Sequence, residues 1–305
     1  MRPRRAVAKT YKLYVGGAFV RSESGRSDAV GGVNVPRGSR KDVRDAVKAA
    51  RGAFAGWSAR TAYNRGQVLY RFAEALESRA GELARADGAR GEHADAGGGE
   101  HADAGGARAG GARGEHTGAG GARADAAADE LGAAVDLLVH YAGWTDKLGA
   151  VLGGVNPVAG PHLSFSLPEP TGVVAVLAPD APDVLGLVRE VAPCLAAGNT
   201  VVALVSRTSP LRPLDLGEIA GVSDIPGGAL NLLSGRLDEL LAPLCGHRDV
   251  NAIVDASGDP SIAATIDELA AETVKRVSRP RPDTDPLTRL EAVLELKTAW
   301  HPVDT

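Results

Sequence analysis

The chain has 305 residues, 53 of them Ala and 39 Gly, with only 12 Phe, Tyr or Trp. A net charge of −4 and a pI of about 6.0 leave no positive field for a phosphate backbone, and Lys275, Arg276, Arg279 and Arg281 stand beside acids, so no nucleic-acid partner is expected. No run approaches the length of a membrane span, and Arg2-Pro3-Arg4-Arg5 leads into Ala-Val-Ala-Lys-Thr, which predicts a soluble, cytoplasmic protein with no membrane partner.

Residues 11–17 read as a short strand and turn. Residues 41–57 then place Val43, Val47, Ala50 and Phe54 at helical spacing before Trp57, and 61–85 carry Val68, Leu69, Phe72, Leu76 and Leu83 on one stripe. Residues 1–86 are therefore an N-terminal hairpin and helical layer. Residues 87–126 break the pattern with 13 Gly, 12 Ala, 11 charged residues, three His and one Thr, and no Val, Ile, Leu, Met, aromatic, Cys or Pro. The octapeptide Gly91-Glu-His-Ala-Asp-Ala-Gly-Gly98 recurs at 99–106 and, varied, at 114–121. A repeat with no apolar face cannot stack, and a segment that buries nothing cannot offset its ordering entropy, so 87–126 is expected to be a disordered insertion. His93, His101 and His116 each follow a Glu, but their spacing fits no helical or turn pair of ligands, and no metal site is assigned.

Helical period resumes over 128–148 with Leu131, Val135, Leu138, Tyr141 and Leu148, within a segment, 127–170, that continues into Gly-rich and then apolar text. From 171 strands and helices alternate. Strands are predicted at 171–177, 200–205, 229–233 and 251–254, and helices at 183–197, 213–221, 236–245 and 261–278, the first of them stopped by Gly198-Asn199. Near-continuous apolar strands with helical crossovers indicate a parallel sheet covered on both faces, so 171–278 is half or more of a doubly wound α/β domain. Residues 279–286 read as a linker. Residues 287–305 then supply a short helix and a strand, 294–300, that needs a partner edge, which another subunit would provide. Cys194 and Cys245 fall in apolar helical text without metal or redox spacing and read as buried, inert thiols.

Three stretches carry a resemblance: Glu169-Pro-Thr-Gly-Val-Val-Ala-Val-Leu-Ala-Pro179, Val191-Ala-Pro-Cys-Leu-Ala-Ala-Gly-Asn-Thr-Val-Val202 and Ile225-Pro-Gly-Gly-Ala-Leu-Asn-Leu-Leu-Ser-Gly235. Together with the opening Tyr11–Val20 and the Val43–Trp57 helix, they resemble, in order and spacing, the aldehyde dehydrogenase superfamily, over residues 11–84 and 137–255. The resemblance implies a Rossmann-like cofactor domain for NAD or NADP, here a partial one. It also implies aldehyde oxidation by a thiolate nucleophile, a general base and an oxyanion donor, with the cofactor placed to take the hydride.

Carried over position by position, the cofactor contacts fall on Pro179, Ser206, Gly228, Ser257 and Gly258. Departures from the family pattern are plain. Ala181 stands where the Asn of Pro-Trp-Asn-Phe-Pro would hold the oxyanion. Leu204-Val205-Ser206-Arg207 replaces Lys-Pro-Ser-Glu and its ribose anchors, and Asp255-Ala256-Ser257-Gly258 replaces Phe-Thr-Gly-Ser, with Asp255 and Asp259 set to repel a pyrophosphate. No counterpart of the Glu-Leu-Gly-Gly segment or of the domain bearing the nucleophilic Cys follows residue 278, and no catalytic residue is assigned. Residues 149–168 resemble the family's oligomerisation hairpin, and 291–300 resemble its terminal strand, which crosses to a neighbouring subunit. The expectation is a non-catalytic assembly subunit or pseudoenzyme, forming a homo-oligomer or a hetero-oligomer with a full-length aldehyde dehydrogenase. The alternatives are an active NAD(P)-dependent oxidoreductase on aldehydes and a weak nucleotide-binding module.

Overall fold

A computed structural model describes residues 9–97 and 116–303. Two hairpins open it, β1 (Leu13–Val15) with β2 (Ala18–Val20), and β3 (Ser27–Val30) with β4 (Val33–Pro36). The second turns on Gly31-Gly32 at φ 55° and 74°, the left-handed pair that a two-residue hairpin loop demands. Helix α1 (Arg40–Ser58) starts at a capping box: the Ser39 hydroxyl accepts from the Asp42 amide, and the Asp42 carboxylate accepts from the Ser39 amide. The same carboxylate takes the Ser22 hydroxyl and the Glu23 amide, which fastens the loop before β3 to the helix start.

Helices α2 (Ala62–Gly97) and α3 (His116–Trp144) pack lengthwise, the start of α2 against the end of α3, so that a Cβ on Gly66 would lie 2.9 Å from the Ala142 carbonyl oxygen. Val68, Leu69, Phe72 and Leu76 of one meet the stripe of Leu131, Ala134, Leu138 and Tyr141 on the other within one core cluster. Both helices run into the segment expected to be disordered. Its flanks 87–97 and 116–126 are helical, a correction with a simple cause: Ala is the best helix former, and each flank extends a helix already nucleated by apolar packing. The middle of the repeat, including His101, lies outside the described residues. Helix α3 also stops earlier than expected, at Trp144, and Leu148 begins a separate short helix, α4 (Leu148–Leu152).

The main sheet is built from β7 (Val173–Leu177), β8 (Thr200–Leu204), β9 (Leu230–Leu233), β10 (Ala252–Asp255) and β11 (Arg276–Ser278), with strand order β11-β10-β7-β8-β9-β1-β2. The first five are parallel and the β1–β2 hairpin adds antiparallel at the edge. Crossovers α5 (Asp183–Ala196) and α6 (Leu211–Ala220) cover one face with α2 and α3. The later crossovers α7 (Leu237–Cys245) and α8 (Ala263–Ala271) cover the other with α1. Alternation along β7 feeds both layers: Val174 and Val176 belong to the first core, Val173, Ala175 and Leu177 to the second. The expectation of a helix over 261–278 is corrected here. The helix ends at Ala271, Val274 takes a left-handed φ of 53°, and Arg276–Ser278 pairs with β10 as a fifth parallel strand.

A second sheet, β12-β6-β5, joins β5 (Gly154–Asn156), β6 (His162–Pro170) and β12 (Leu294–Pro302) antiparallel. The terminal strand thus finds its partner edge in its own chain, from Leu294 opposite Pro170 to Pro302 opposite His162, where the sequence points to another subunit. The reason is the segment before it, which is folded rather than a free linker. Helix α9 (Pro286–Glu291) packs on α5, and its Arg289 forms a buried ion pair with Glu190, the two side chains 3% and 4% exposed. The Val293 carbonyl accepts from the Asn199 side chain and the Thr171 amide, which delivers Leu294 to the end of β6.

Burial pushes the Glu190 carboxyl up, and the Arg289 charge only partly offsets this. Arg289→Ala would leave that carboxylate unpaired in the core, at a cost of about 3–5 kcal/mol in urea unfolding. A Glu190→Leu/Arg289→Met double variant should recover most of the loss, because an apolar pair needs no desolvation to be repaid.

Candidate functional site

In an open parallel sheet ligands bind beyond the carboxyl ends of the strands, where successive crossovers leave for opposite faces. Here that point lies between β7 and β10. The loops that rim it are 178–182 after β7, 205–210 after β8 and 256–262 after β10.

Four of the five sequence-predicted cofactor residues come to this rim. Pro179 closes β7 with its ring over Gly186, where a Cβ would lie 2.4 Å from the proline Cγ, so α5 approaches the loop through a glycine. Ser206 is buried, donates to the Asp180 carbonyl at 3.0 Å and accepts from the Ser209 amide at 2.9 Å. The Ser257 hydroxyl donates to Asp255 at 2.6 Å and accepts from the Asp259 amide at 3.3 Å, and Gly258 turns the same loop at φ 67°. Gly228 is not brought there. It precedes β9 and therefore sits at the opposite edge of the sheet, where a Cβ would lie 2.5 Å from the Ala49 carbonyl oxygen. Its glycine serves close packing on α1, a correction that a linear motif cannot anticipate.

The charged residues at the rim are joined. Arg207 donates to Asp180 from Nη2 at 2.7 Å and from Nε at 3.0 Å, its amide donates to the same carboxylate at 2.8 Å, and Nη1 reaches Asp259 at 3.3 Å. Burial pushes the Asp180 carboxyl up, but the hydrogen bonds and charge of Arg207 outweigh it and hold the carboxyl below the usual range. Asp259 is held below that range by the Ser261 hydroxyl and amide, with Arg207 adding to the effect. The sequence exposed Asp259 as an anion in the way of a pyrophosphate, but not the arginine that pairs with it, since 27 residues separate Arg207 from Asp180 and 52 separate it from Asp259. The donor set does not fit a dinucleotide: the serine hydroxyls are committed to main-chain and carboxylate partners, and Arg207, which spans these loops, is held by two carboxylates. Ala181, in the loop after β7, offers no side-chain donor.

Both cysteines of the sequence are fully buried, on opposite faces of the sheet. The Cys194 thiol donates to the Glu190 carbonyl at 3.1 Å, and burial pushes its pKa up. Burial, with Asp255 adding, pushes the Cys245 thiol up to about 12. A thiolate nucleophile needs the opposite environment.

A second polar cluster holds the β7–α5 loop from below and was not legible in the sequence. Glu130 of α3 accepts the Val184 and Leu185 amides at 2.9 and 3.0 Å and so caps the start of α5. Arg212 binds both Glu130, at 2.7 Å, and Asp183, at 2.6 Å, beside a cleft of about 480 Å³ that Asp87 and Arg123 also line. No group of three or more His, Cys, Asp or Glu among the described residues could hold a metal, and no described helix is long and apolar enough to cross a membrane.

Comparison with known proteins places this geometry. The sequence matches the aldehyde dehydrogenase family over residues 27–93 and 112–279. It is 31% identical over 245 residues to the hydroxyisobutyraldehyde dehydrogenase of Mycolicibacterium austroafricanum, covering 80% of this chain and 42% of the relative. It is 29% identical over 271 residues to the mitochondrial benzaldehyde dehydrogenase of Antirrhinum majus, covering 86% and 45%. Its fold overlays an aldehyde dehydrogenase from Bacillus cereus, solved as an NAD+ complex, with a TM-score of 0.73 and 24% identity, over 88% of this chain and 50% of that one. The chain spans about half the length of the curated relatives it matches first.

Burial pushes the Asp183 carboxyl up to about 7, with Arg212 pulling it back and Glu130 adding to the rise. Between the ordinary carboxylate range and that value the folded chain binds more protons at this group than the unfolded chain does. The stability it contributes therefore falls as pH rises through this interval. Asp183→Asn removes the effect, so in urea unfolding the variant should gain on the wild type as pH is raised from about 4 to about 7. A stability difference that does not change over this interval would contradict the assignment.

Proposed function

This chain belongs to the aldehyde dehydrogenase family, and from that premise we propose that it serves as a non-catalytic assembly subunit. The observation that carries the reading is the β12-β6-β5 sheet. Val155 and Phe165 are paired across it and so share a face with Leu163 and Leu167, and of these Val155, Leu163 and Leu167 are exposed. The outer edge of β12 pairs with nothing among the described residues, and Leu296 and Trp300 are also exposed along that strand. A nine-residue strand with an open edge beside uncovered leucines is a surface that proteins ordinarily cover by association. The partner is a second copy or a full-length member of the family.

The activity named for the relatives, oxidation of an aldehyde, requires a sulfur nucleophile within reach of solvent and substrate. Both thiols of this sequence lie in the core instead. NAD or NADP is the cofactor that family membership suggests, and the rim residues Pro179, Ser206, Ser257 and Gly258 are what this chain retains of such a site.

The test is co-expression with a full-length aldehyde dehydrogenase, followed by size-exclusion chromatography with light scattering. The wild type should elute as an assembly, alone or with the relative. Leu163→Asp/Leu167→Asp should elute as a monomer with an unchanged far-ultraviolet spectrum. A wild type that stays monomeric in both preparations, or purified chain that reduces NAD(P) saturably with an aldehyde, would overturn the proposal.

A further inference from the structure

Three loops end in charge at the switch point of the sheet: Asp180 after β7, Arg207 after β8 and Asp259 after β10. We infer that Arg207 fills this crevice as a tethered cation and that the chain takes no dinucleotide there. The crossovers through α5 and α8 leave β7 and β10 for opposite faces, so the groove between their carboxyl ends is where the topology of the fold would seat a ligand. Arg207 spans it, with the Nε/Nη2 edge of the guanidinium on Asp180 and its remaining terminal nitrogen on Asp259.

The geometry is specific to exclusion. Donation from Nε to Oδ1 at 3.3 Å and from Nη2 to Oδ2 at 2.7 Å of one carboxylate is the fork arrangement by which arginine also grips phosphate, so the group a diphosphate would use is already engaged by Asp180. A diphosphate that displaced the carboxylates would remain beside two negative charges, both held ionised by their hydrogen bonds. The loop serines offer little in exchange. The Ser206 hydroxyl is committed to the Asp180 carbonyl and the Ser209 amide, and the Ser257 hydroxyl to Asp255 and the Asp259 amide. The three charged side chains are 38%, 28% and 27% exposed, so the strap lies at the surface, within reach of a ligand and open to substitution without disturbing the core.

Two consequences follow from charge alone. Removing the two carboxylate charges frees the guanidinium, and a freed guanidinium at the strand ends is an anion site. Removing the arginine as well abolishes that site. These residues lie apart from the β12-β6-β5 sheet, so failure of this inference leaves the assembly reading standing, and the reverse also holds.

The experiment is isothermal titration of the full chain with NAD, NADP and inorganic pyrophosphate, carried out on wild type, Asp180→Asn/Asp259→Asn, and the same double variant with Arg207→Ala. Near-ultraviolet circular dichroism confirms that each is folded. The wild type should show no saturable binding tighter than about 1 mM. The double variant should bind pyrophosphate and at least one dinucleotide at least tenfold more tightly, with affinity falling as salt is raised. The triple variant should lose that gain. Saturable dinucleotide binding by the wild type below the millimolar range would overturn the inference. So would a folded double variant that binds no better than wild type, or a gain that survives loss of Arg207.

Discussion

Every side chain of β7 is buried, and the strand alternates between two separate cores. A strand buried on both faces requires a complete helical layer above and below it, and the rest of the molecule can be derived from that demand. Helices α5 and α6 satisfy it on one side with α2 and α3 laid over them, and α1, α7 and α8 satisfy it on the other. The same demand explains α9. Without it, α5 would show apolar surface and the Glu190 carboxylate to solvent along the flank where Arg289, Leu290 and Val293 now sit buried. The chain between β11 and β12 is therefore part of the fold.

Below the rim the sheet is held by apolar packing, and at the rim by charge. Glu130, Asp183 and Arg212 fix the start of α5, while Arg207 ties together the loops after β7, β8 and β10. A parallel sheet gathers loop ends at one edge, and here the gathered side chains satisfy one another. A cofactor domain ordinarily keeps such donors for its ligand, so the same architecture carries opposite chemistry according to a few residues beyond the strand ends.

The family and the alternation of strands and helices from 171 onward were legible because buried parallel strands leave near-continuous apolar runs bounded by Gly, Pro and Asn. The fifth strand was not legible. Arg276-Val277-Ser278 is three residues with one apolar side chain, and its strand character comes from hydrogen bonds to β10. The helical flanks of the Gly/Ala repeat were missed for a related reason: taken alone that text has nothing to bury, but it continues helices anchored by Leu76, Leu83, Ala127 and Leu131. At the candidate site, Ser206, Ser257 and Gly258 are brought to the carboxyl ends of β8 and β10. Gly228 is not, because the motif that contains it enters β9 at one edge of the sheet and leaves it at the other.

The sequence by itself determined membership of the aldehyde dehydrogenase family, the doubly wound order of elements and the apolar surroundings of both cysteines, since each rests on local pattern and on motif order along the chain. Only the tertiary structure decided that the terminal strand pairs with β6 of its own chain, that Arg289 is buried against Glu190 and that Arg207 joins Asp180 to Asp259. Those pairings link residues tens of positions apart, and linear text records the charge of each partner but not the distance that folding leaves between them.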